Sequence, residues 1–210
     1  CPSHATGSRY GPAPPVFWPR RLALGTGFQE TIDLLAHQDD PLSLAVVGRL
    51  LGHDPAGQVE VSNTAGSVVI SAWPRNEVEV TGTLGEGTER LEFSSSGKLT
   101  RVKVVLPRQS SRVEGTALVL KVPAGSGLAV NTVSADVTAA GVRGSQRLQS
   151  VSGNIHTEAA AEDVECKTVS GDVKVKGSAQ PGLLTVTTVS GDADLSGVAG
   201  EVNGNTVSGN

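Results

Sequence analysis

Hydrophobic and polar residues alternate along the chain from about residue 57, with the period of two that is typical of half-buried β-strands. Six such stretches are bounded by Gly, Asn, Ser or Pro: QVEVSN, SVVISAW, EVEVTGTLG, RLEFSSS, LTRVKVVLP and ALVLKVPAG. The links between them are short and turn-like. The pattern predicts a region of antiparallel or mixed short strands over residues 56–127, which we expect to cap the structure that follows.

A four-residue phrase, Val-Ser-Gly/Ala-Asp/Asn, then occurs five times. Its valines are spaced by 18, 18, 20 and 18 residues, at Val133, Val151, Val169, Val189 and Val207. The longer interval contains Pro181-Gly182, a turn signal, so the two extra residues fall in a loop. A fixed period is the signature of an array in which each repeat packs against its neighbours. Residues 128–210 are therefore predicted to form stacked coils.

Apolar residues on the two sides of the phrase have opposite parity. In the first copy Leu128 and Val130 precede the valine, whereas Val137 and Ala139 follow it. A straight strand cannot keep both sets inside, so the chain has to turn between them. We predict that the phrase is a corner, where Gly supplies a backbone conformation that a Cβ would hinder and Asp or Asn hydrogen-bonds the amides of its own turn. The predicted corner residues are Ser134, Asp136, Ser152, Gly153, Asn154, Ser170, Gly171, Asp172, Ser190, Gly191, Asp192, Ser208, Gly209 and Asn210.

The predicted fold is all-β: a β-solenoid, or β-helix-like array, preceded by the short-stranded region. At ~3.3 Å per strand residue, a coil has a perimeter of roughly 60 Å, enough for two or three short faces around a thin core. The composition agrees with a thin core, because aromatic residues make up only 3% of the chain and Gly is abundant. The sequence ends at a corner, before the strand that follows it in every earlier copy, so we expect the native protein to continue with further coils.

Residues 1–55 lack the alternation of the rest of the chain. After a Pro-rich stretch come two weakly amphipathic helix candidates, at 28–38 and 41–52, separated by Asp39-Asp40-Pro41. We expect a poorly ordered or weakly helical extension. The apolar stretch at 41–52 is short and interrupted by Arg49, and the sequence predicts no transmembrane segment.

Charge and cysteine content exclude several classes of protein. The net charge is -4 and Lys and Arg form no cluster, which excludes a nucleic-acid partner. Cys1 and Cys166 are too far apart to suggest a disulfide framework or a metal site of the CxxC type. Cys166 occupies the repeat position that Val130 and Leu148 fill in other copies, so it is predicted to be a core residue.

The polar residues of the repeat are better explained by structure than by catalysis. None of His4, His37, His53 and His156 stands at a recognisable spacing from a nucleophile and a carboxylate, so exposed or incidental roles are expected. An active site needs one special serine, whereas five equivalent serines suit a recurring corner. We therefore predict no enzymatic activity and no cofactor.

Two features of the sequence admit a ligand interpretation as well as a structural one. A calcium-binding β-roll uses a nonapeptide with more Gly, so it is not predicted; weak cation binding between Asp172 and Asp192 remains the alternative to hydrogen-bonded turns. Trp73, followed by Pro74, is predicted to anchor a strand end rather than to hold a ligand.

The stretch GQVEVSNTAGSVVISAWPRNEVEVTGTLGEG, followed by serial TVSGD units, resembles the bacterial putative-adhesin family, a domain of unknown function, over residues 55–210. The resemblance implies a β-strand-repeat protein, exported to a periplasmic, cell-envelope or extracellular location. It favours a non-enzymatic surface protein, an adhesin-like binding module whose regular β face contacts a protein, a glycan or the wall. The alternative is an envelope-associated scaffold or stress-sensing regulatory protein. A hydrolase with a β-helical groove would need acidic residues grouped on one face, which the repeats do not provide, and the oligomeric state stays open.

Overall fold

The computed structural model describes residues 45–85, 88, 90–106, 115–159, 163–177 and 181–209. These residues form 14 strands of one sheet and, within the described ranges, no helix. The first seven strands are β1 Ala45–Gly52, β2 Gln58–Trp73, β3 Glu77–Thr83, β4 Arg90–Ser95, β5 Leu99–Val105, β6 Thr116–Pro123 and β7 Gly127–Ala140. The others are β8 Gln146–Ser150, β9 Ile155–Ala159, β10 Val164–Thr168, β11 Val173–Gly177, β12 Pro181–Ser190, β13 Ala193–Ser196 and β14 Ala199–Ser208.

Parallel pairing runs through the molecule from β2 to β14. β2 pairs with β7 from Gln58 opposite Gly127 to Ser71 opposite Ala140. β8 and β9 stack on the two halves of β7, and β10 with β11 and β12 with β13 continue the stack. β14 then pairs with β12. The predicted β-solenoid is confirmed, and it includes β2, which lies upstream of the residues where the sequence repeat begins.

The stack has two layers, which we call first and second in chain order. The first layer contains β5, β8, β10, β12, β14 and the first halves of β2 and β7. The second contains β6, β9, β11, β13 and the second halves of β2 and β7. Inward side chains of both layers form one aliphatic core, whose largest fully buried members are Ile70, Leu118, Leu120, Leu148, Ile155 and Leu184. A core of this composition matches the scarcity of aromatic residues in the sequence.

Antiparallel strands flank the stack on its N-terminal side. β5 and β6 pair in parallel with the two halves of β2, and thus add a coil beyond it. On their outer edges β4 pairs antiparallel with β5, and β3 with β6. This mixed pairing covers backbone groups that a parallel stack would otherwise leave open at its edge.

The predicted helix over 41–52 is wrong for residues 45–52. This segment forms β1 and pairs antiparallel with β3, from Ala45 opposite Thr83 to Gly52 opposite Glu77. Pairing with a sheet edge satisfies backbone amides and carbonyls that a weakly amphipathic helix would satisfy internally, so local helical pattern is overridden by tertiary contact. The candidate helix at 28–38 lies outside the described residues.

Candidate functional site

The Val-Ser-Gly/Ala-Asp/Asn phrases lie in one column where the first layer passes into the second. In one coil Thr168 is buried, Val169 and Ser170 are both exposed, and Gly171 is buried again. Two consecutive outward residues shift the alternation by one position. The same sequence of exposure occurs at residues 132–135 and 150–153, so each phrase turns the chain between the layers.

Backbone hydrogen bonds tie each corner to the preceding coil. In three successive corners the serine amide donates to the carbonyl of the corner valine one coil earlier: Ser152 to Val133 at 2.7 Å, Ser170 to Val151 at 2.8 Å and Ser190 to Val169 at 2.7 Å. Ser134 and Ser208 occupy the equivalent places in the first and last copies. All five serine side chains are exposed, and repetition gives them nearly the same surroundings.

The Asp/Asn column forms a second ladder between coils. Each side-chain oxygen accepts a hydrogen bond from the amide one coil further on: Asn154 N to Asp136 Oδ1 at 2.9 Å, Asp172 N to Asn154 Oδ1 at 3.0 Å, and Asp192 N to Asp172 Oδ1 at 3.0 Å. We had predicted bonds to amides of the same turn, and this detail is wrong. Stacking places the next coil's amide opposite the side chain, so the repeated residue bonds coils together. Asn210 lies outside the described residues.

Glycine in the corner permits close approach of successive coils. A Cβ on Gly171 would overlap the carbonyl oxygen of Gly153, and one on Gly153 would overlap that of Ala135. Gly191 and Gly209 stand in the same relation to the coils before them. At one corner the hydroxyl residue before the valine also contributes, since Ser150 Oγ accepts a hydrogen bond from the Gly153 amide at 2.8 Å.

The outer surface of the first layer from β7 to β14 carries two columns of side chains, which we call the polar face. The first column is Ala129, Arg147, Glu165, Thr185 and Asn203; the second is Asn131, Gln149, Lys167, Thr187 and Asn205. Arg147 Nε lies 2.7 Å from Glu165 Oε2, and the other carboxylate oxygen of Glu165 pairs with Lys167 Nζ. Hydrogen bonds from Lys167 and then Arg147 lower the pKa of Glu165, so this carboxylate is held ionised.

A groove of about 690 Å³ runs beside the first column of the polar face. Its walls include Gly127, Gly144, Arg147, Glu165 and Thr185. Glycine is required at Gly144, where a Cβ would overlap the Ser126 carbonyl oxygen, and the lack of side chains leaves the groove open. The surface thus combines a shallow concavity with charged and hydroxyl side chains.

The two histidines that the structure describes lie in different parts of the molecule. His53, which we expected to be exposed or incidental, is buried: its Nδ1 lies 3.0 Å from Thr100 Oγ1, and burial lowers its pKa. His156 is exposed in β9 between Thr138 and Lys174 of the neighbouring strands. His4 and His37 lie outside the described residues.

Cys166 and Trp73 both have structural roles. Cys166 is buried in the core, as predicted, and burial raises the pKa of its thiol to about 12, so its nucleophilic thiolate form is suppressed. Trp73 donates from Nε1 to the Glu77 carbonyl at 2.7 Å across the turn after β2, with Arg75 and Lys121 near its ring. It anchors the strand end, as predicted.

Among the described residues, no three His, Cys, Asp or Glu residues come close enough together to hold a metal ion. Asp172 and Asp192 are neighbours, as predicted, but the contact between them is the amide-to-carboxylate bond of the corner ladder. Across the same residues, no helix has the length and apolarity needed to cross a bilayer.

Comparison with known proteins identifies a family rather than an activity. No curated protein matches the chain. Among solved structures, a putative cell adhesion protein from Clostridium sporogenes is 8% identical, with 76% of this chain and 99% of that chain covered and a TM-score of 0.43. A putative adhesin from Bacteroides fragilis is 12% identical, with coverage of 78% and 96% and a TM-score of 0.29. With TM-scores this low, neither structure supports an argument about this chain.

A family model described as Toastrack DUF4097 matches residues 58–210. The match begins at the first residue of β2, the strand with which the parallel coils begin, and it includes all the later strands. The resemblance to a domain of unknown function that the sequence indicated is thereby confirmed. The chain belongs to the Toastrack DUF4097 family.

Proposed function

We propose that this chain is a non-enzymatic binding module of the bacterial cell envelope or surface, which contacts a protein or glycan partner through the polar face and its groove. The observation that carries the proposal is the equivalence of the repeated polar residues. Every corner serine is exposed, and Ser152, Ser170 and Ser190 are hydrogen-bonded through their backbone amides in the same way. Catalysis requires one distinct group of catalytic residues, whereas equivalent positions repeated along the stack suit an extended binding surface.

The neighbours of the corner serines support a non-catalytic role. His53 is buried in the N-terminal region against Thr100, and His156 lies on the outer surface of the second layer. Two of the carboxylates beside the serines, Asp136 and Asp172, accept amides in the inter-coil ladder. A serine nucleophile needs an adjacent base, and neither described histidine bonds a corner serine.

The polar face supports the choice of surface. Its side chains repeat at the strand spacing of about 4.8 Å, and amides and hydroxyls dominate towards β14, at Thr185, Thr187, Asn203 and Asn205. Such groups can exchange hydrogen bonds with water for bonds to sugar hydroxyls or peptide groups. The adjacent groove would keep an extended partner in place along the first column. The envelope location rests on the family resemblance.

The proposal is tested by binding of the purified chain to envelope fractions, intact cells and isolated cell-wall glycan. The test variants are Arg147→Ala and Thr185→Arg, which change charge and fill the groove; the matched control is Thr138→Arg on the outer surface of the second layer. We expect both test variants to weaken binding and the control to bind like the parent chain. Equal binding by all three would contradict the use of this face.

The fate of the bound polymer separates binding from catalysis. We expect the glycan or protein partner to be recovered at its original mass after prolonged incubation. Release of fragments that depends on Ser170 would refute the non-enzymatic proposal. Capture of membrane signalling proteins, without binding to cells or wall material, would instead support an envelope-associated scaffold or regulatory protein.

A further inference from the structure

The corner valines form an exposed apolar stripe, which we call the valine ridge. Val133, Val151, Val169 and Val189 are 47%, 44%, 44% and 43% exposed, and Val207 in the last coil is 75% exposed. Their strands stack at about 4.8 Å, so five valines span roughly 19 Å. Single exposed valines are ordinary, but a continuous apolar stripe on a soluble surface is a feature of interaction sites.

The corner does not itself require valine. In β2 the equivalent residue is Thr64, because its neighbours Asn63 and Ala65 pair with Thr132 and Ser134 on either side of Val133. Thr64 is half-buried and the chain turns there without an apolar side chain. Threonine is β-branched like valine and fits a strand equally well, so corner geometry alone does not explain five valines.

Polar groups on the two flanks of the ridge are complementary. Two residues before the valines, on the donor flank, stand Asn131, Gln149, Lys167 and Thr187, which can all donate a hydrogen bond and include one cation and no anion. Three residues after the valines, on the acceptor flank, stand Asp136, Asn154, Asp172 and Asp192, which can all accept one and include three carboxylates. One oxygen of Asp172 accepts the amide of Asp192, but a carboxylate can accept further bonds at its second oxygen. Donors therefore line one flank and acceptors the other, at every coil.

We propose that the valine ridge is a self-association surface on which a second copy of this chain docks side by side, with the two solenoids parallel. A two-fold axis along the ridge brings the valine columns together and places the donor flank of each copy opposite the acceptor flank of the other. Lys167 of one copy then faces Asp172 of its partner. A second copy also has the same axial repeat, so the match is preserved along the whole ridge.

An antiparallel arrangement would lose this complementarity. A two-fold axis across the ridge places each flank against itself, so Asp172 would face the Asp/Asn column of the other copy and carboxylate would meet carboxylate. Like charges in contact disfavour such a pairing. The ridge is also narrow, and a contact about 19 Å long is smaller than a standard stable interface, so we expect reversible, concentration-dependent dimers.

Single-cysteine variants test both the surface and the direction. In a Cys1→Ser background, Cys166 stays buried and Val133→Cys or Val169→Cys supplies the reactive thiol. Val133 lies at one end of the ridge, so Val133→Cys forms a disulfide-linked dimer on mild oxidation only if the two copies are parallel. The control, Ser196→Cys, is exposed on the outer surface of the second layer. We expect dimers from both valine variants and none from the control.

Other outcomes overturn the proposal. Dimers from Val169→Cys without Val133→Cys would establish antiparallel contact and refute the parallel pair. Equal cross-linking of Ser196→Cys would show random collision, and no cross-linking at either valine would refute the surface. Sedimentation velocity on the full chain without cysteine substitutions gives an independent measure: Val151→Asp with Val169→Asp should weaken the dimer on the order of tenfold or more. A monomer at all concentrations, or a dimer insensitive to these changes, refutes the proposal.

Discussion

Replacing Gly171 by alanine tests the packing of the corner. The new Cβ would overlap the Gly153 carbonyl oxygen, and it would lie 2.8 Å from the Gly153 carbonyl carbon and 3.1 Å from Thr168 Oγ1. The corner cannot simply move away, because the Ser170 amide bonds Val151 at 2.8 Å and the Asp172 amide bonds Asn154 at 3.0 Å. A single added methyl group therefore has to distort two adjacent coils.

The expected cost of Gly171→Ala is about 1–3 kcal/mol in the free energy of unfolding. Overpacking a tight site costs about 1–3 kcal/mol, and stretching a corner hydrogen bond contributes up to about 1 kcal/mol within that range. Gly171→Val should cost more, because its side chain is larger. Urea unfolding followed by circular dichroism measures the change as a lower midpoint at an unchanged slope.

Gly204→Ala is the matched control. Gly204 lies in β14, and no heavy atom lies within 4 Å of the position its Cβ would take. Alanine restricts the unfolded chain more than glycine, so this variant should be neutral or stabilised by up to about 1 kcal/mol. Equal midpoints for Gly171→Ala and Gly204→Ala would refute the steric account of the corner.

Three further predictions concern polar residues. Ser170→Ala should change stability by less than about 0.5 kcal/mol and abolish no activity, because the inter-coil bond uses the backbone amide; a loss comparable to that of Gly171→Ala would contradict this. Asp172→Ala should cost about 0.5–1.5 kcal/mol by removing the acceptor for the Asp192 amide, while Asp172→Asn should retain near-parent stability; equal losses would count against the ladder. Burial lowers the pKa of His53, so the unfolded chain, with an ordinary histidine pKa of 6.5, binds the proton first. Stability, measured as the urea midpoint, should therefore fall as pH drops below about 6.5, and less so in His53→Asn. An unaltered pH dependence in His53→Asn would refute the role of its burial.

The sequence predicted the parts of the fold that depend on local periodicity. The change of parity between Val130 and Val137 marked the turn, and the fixed spacing of the valines indicated stacked coils. The place of β2 in the stack was missed because its corner, Asn63-Thr64-Ala65-Gly66, lacks the repeated phrase. Its pairing with β7 is visible only when the two strands are brought together.

Features made by distant contacts could not be derived from local pattern. His53 is buried against Thr100, which lies 47 residues away in sequence. β1 depends on β3, and a weak helical pattern at its residues gave no sign of that partner. The sequence identified the Asp and Asn residues of the ladder but assigned them the amides of their own turns. The amides that they bond belong to the next coil, whose position is set by the stacking of whole coils. The local sequence identified the corner residues. The hydrogen-bond partner of each corner residue is instead set by the packing of coils that are distant in sequence.

Amide hydrogen exchange at the corners tests the central claim most directly, that the repeated phrase bonds one coil to the next. Asp172 and Asp192 have exposed side chains in turns, where amides without structural partners exchange rapidly. Their amides donate to Asn154 and Asp172, so we predict protection at both positions, and loss of protection at Asp172 in an Asn154→Ala variant. Exchange at the unprotected rate in the parent chain, while the β10 and β11 amides remain protected, would contradict the account.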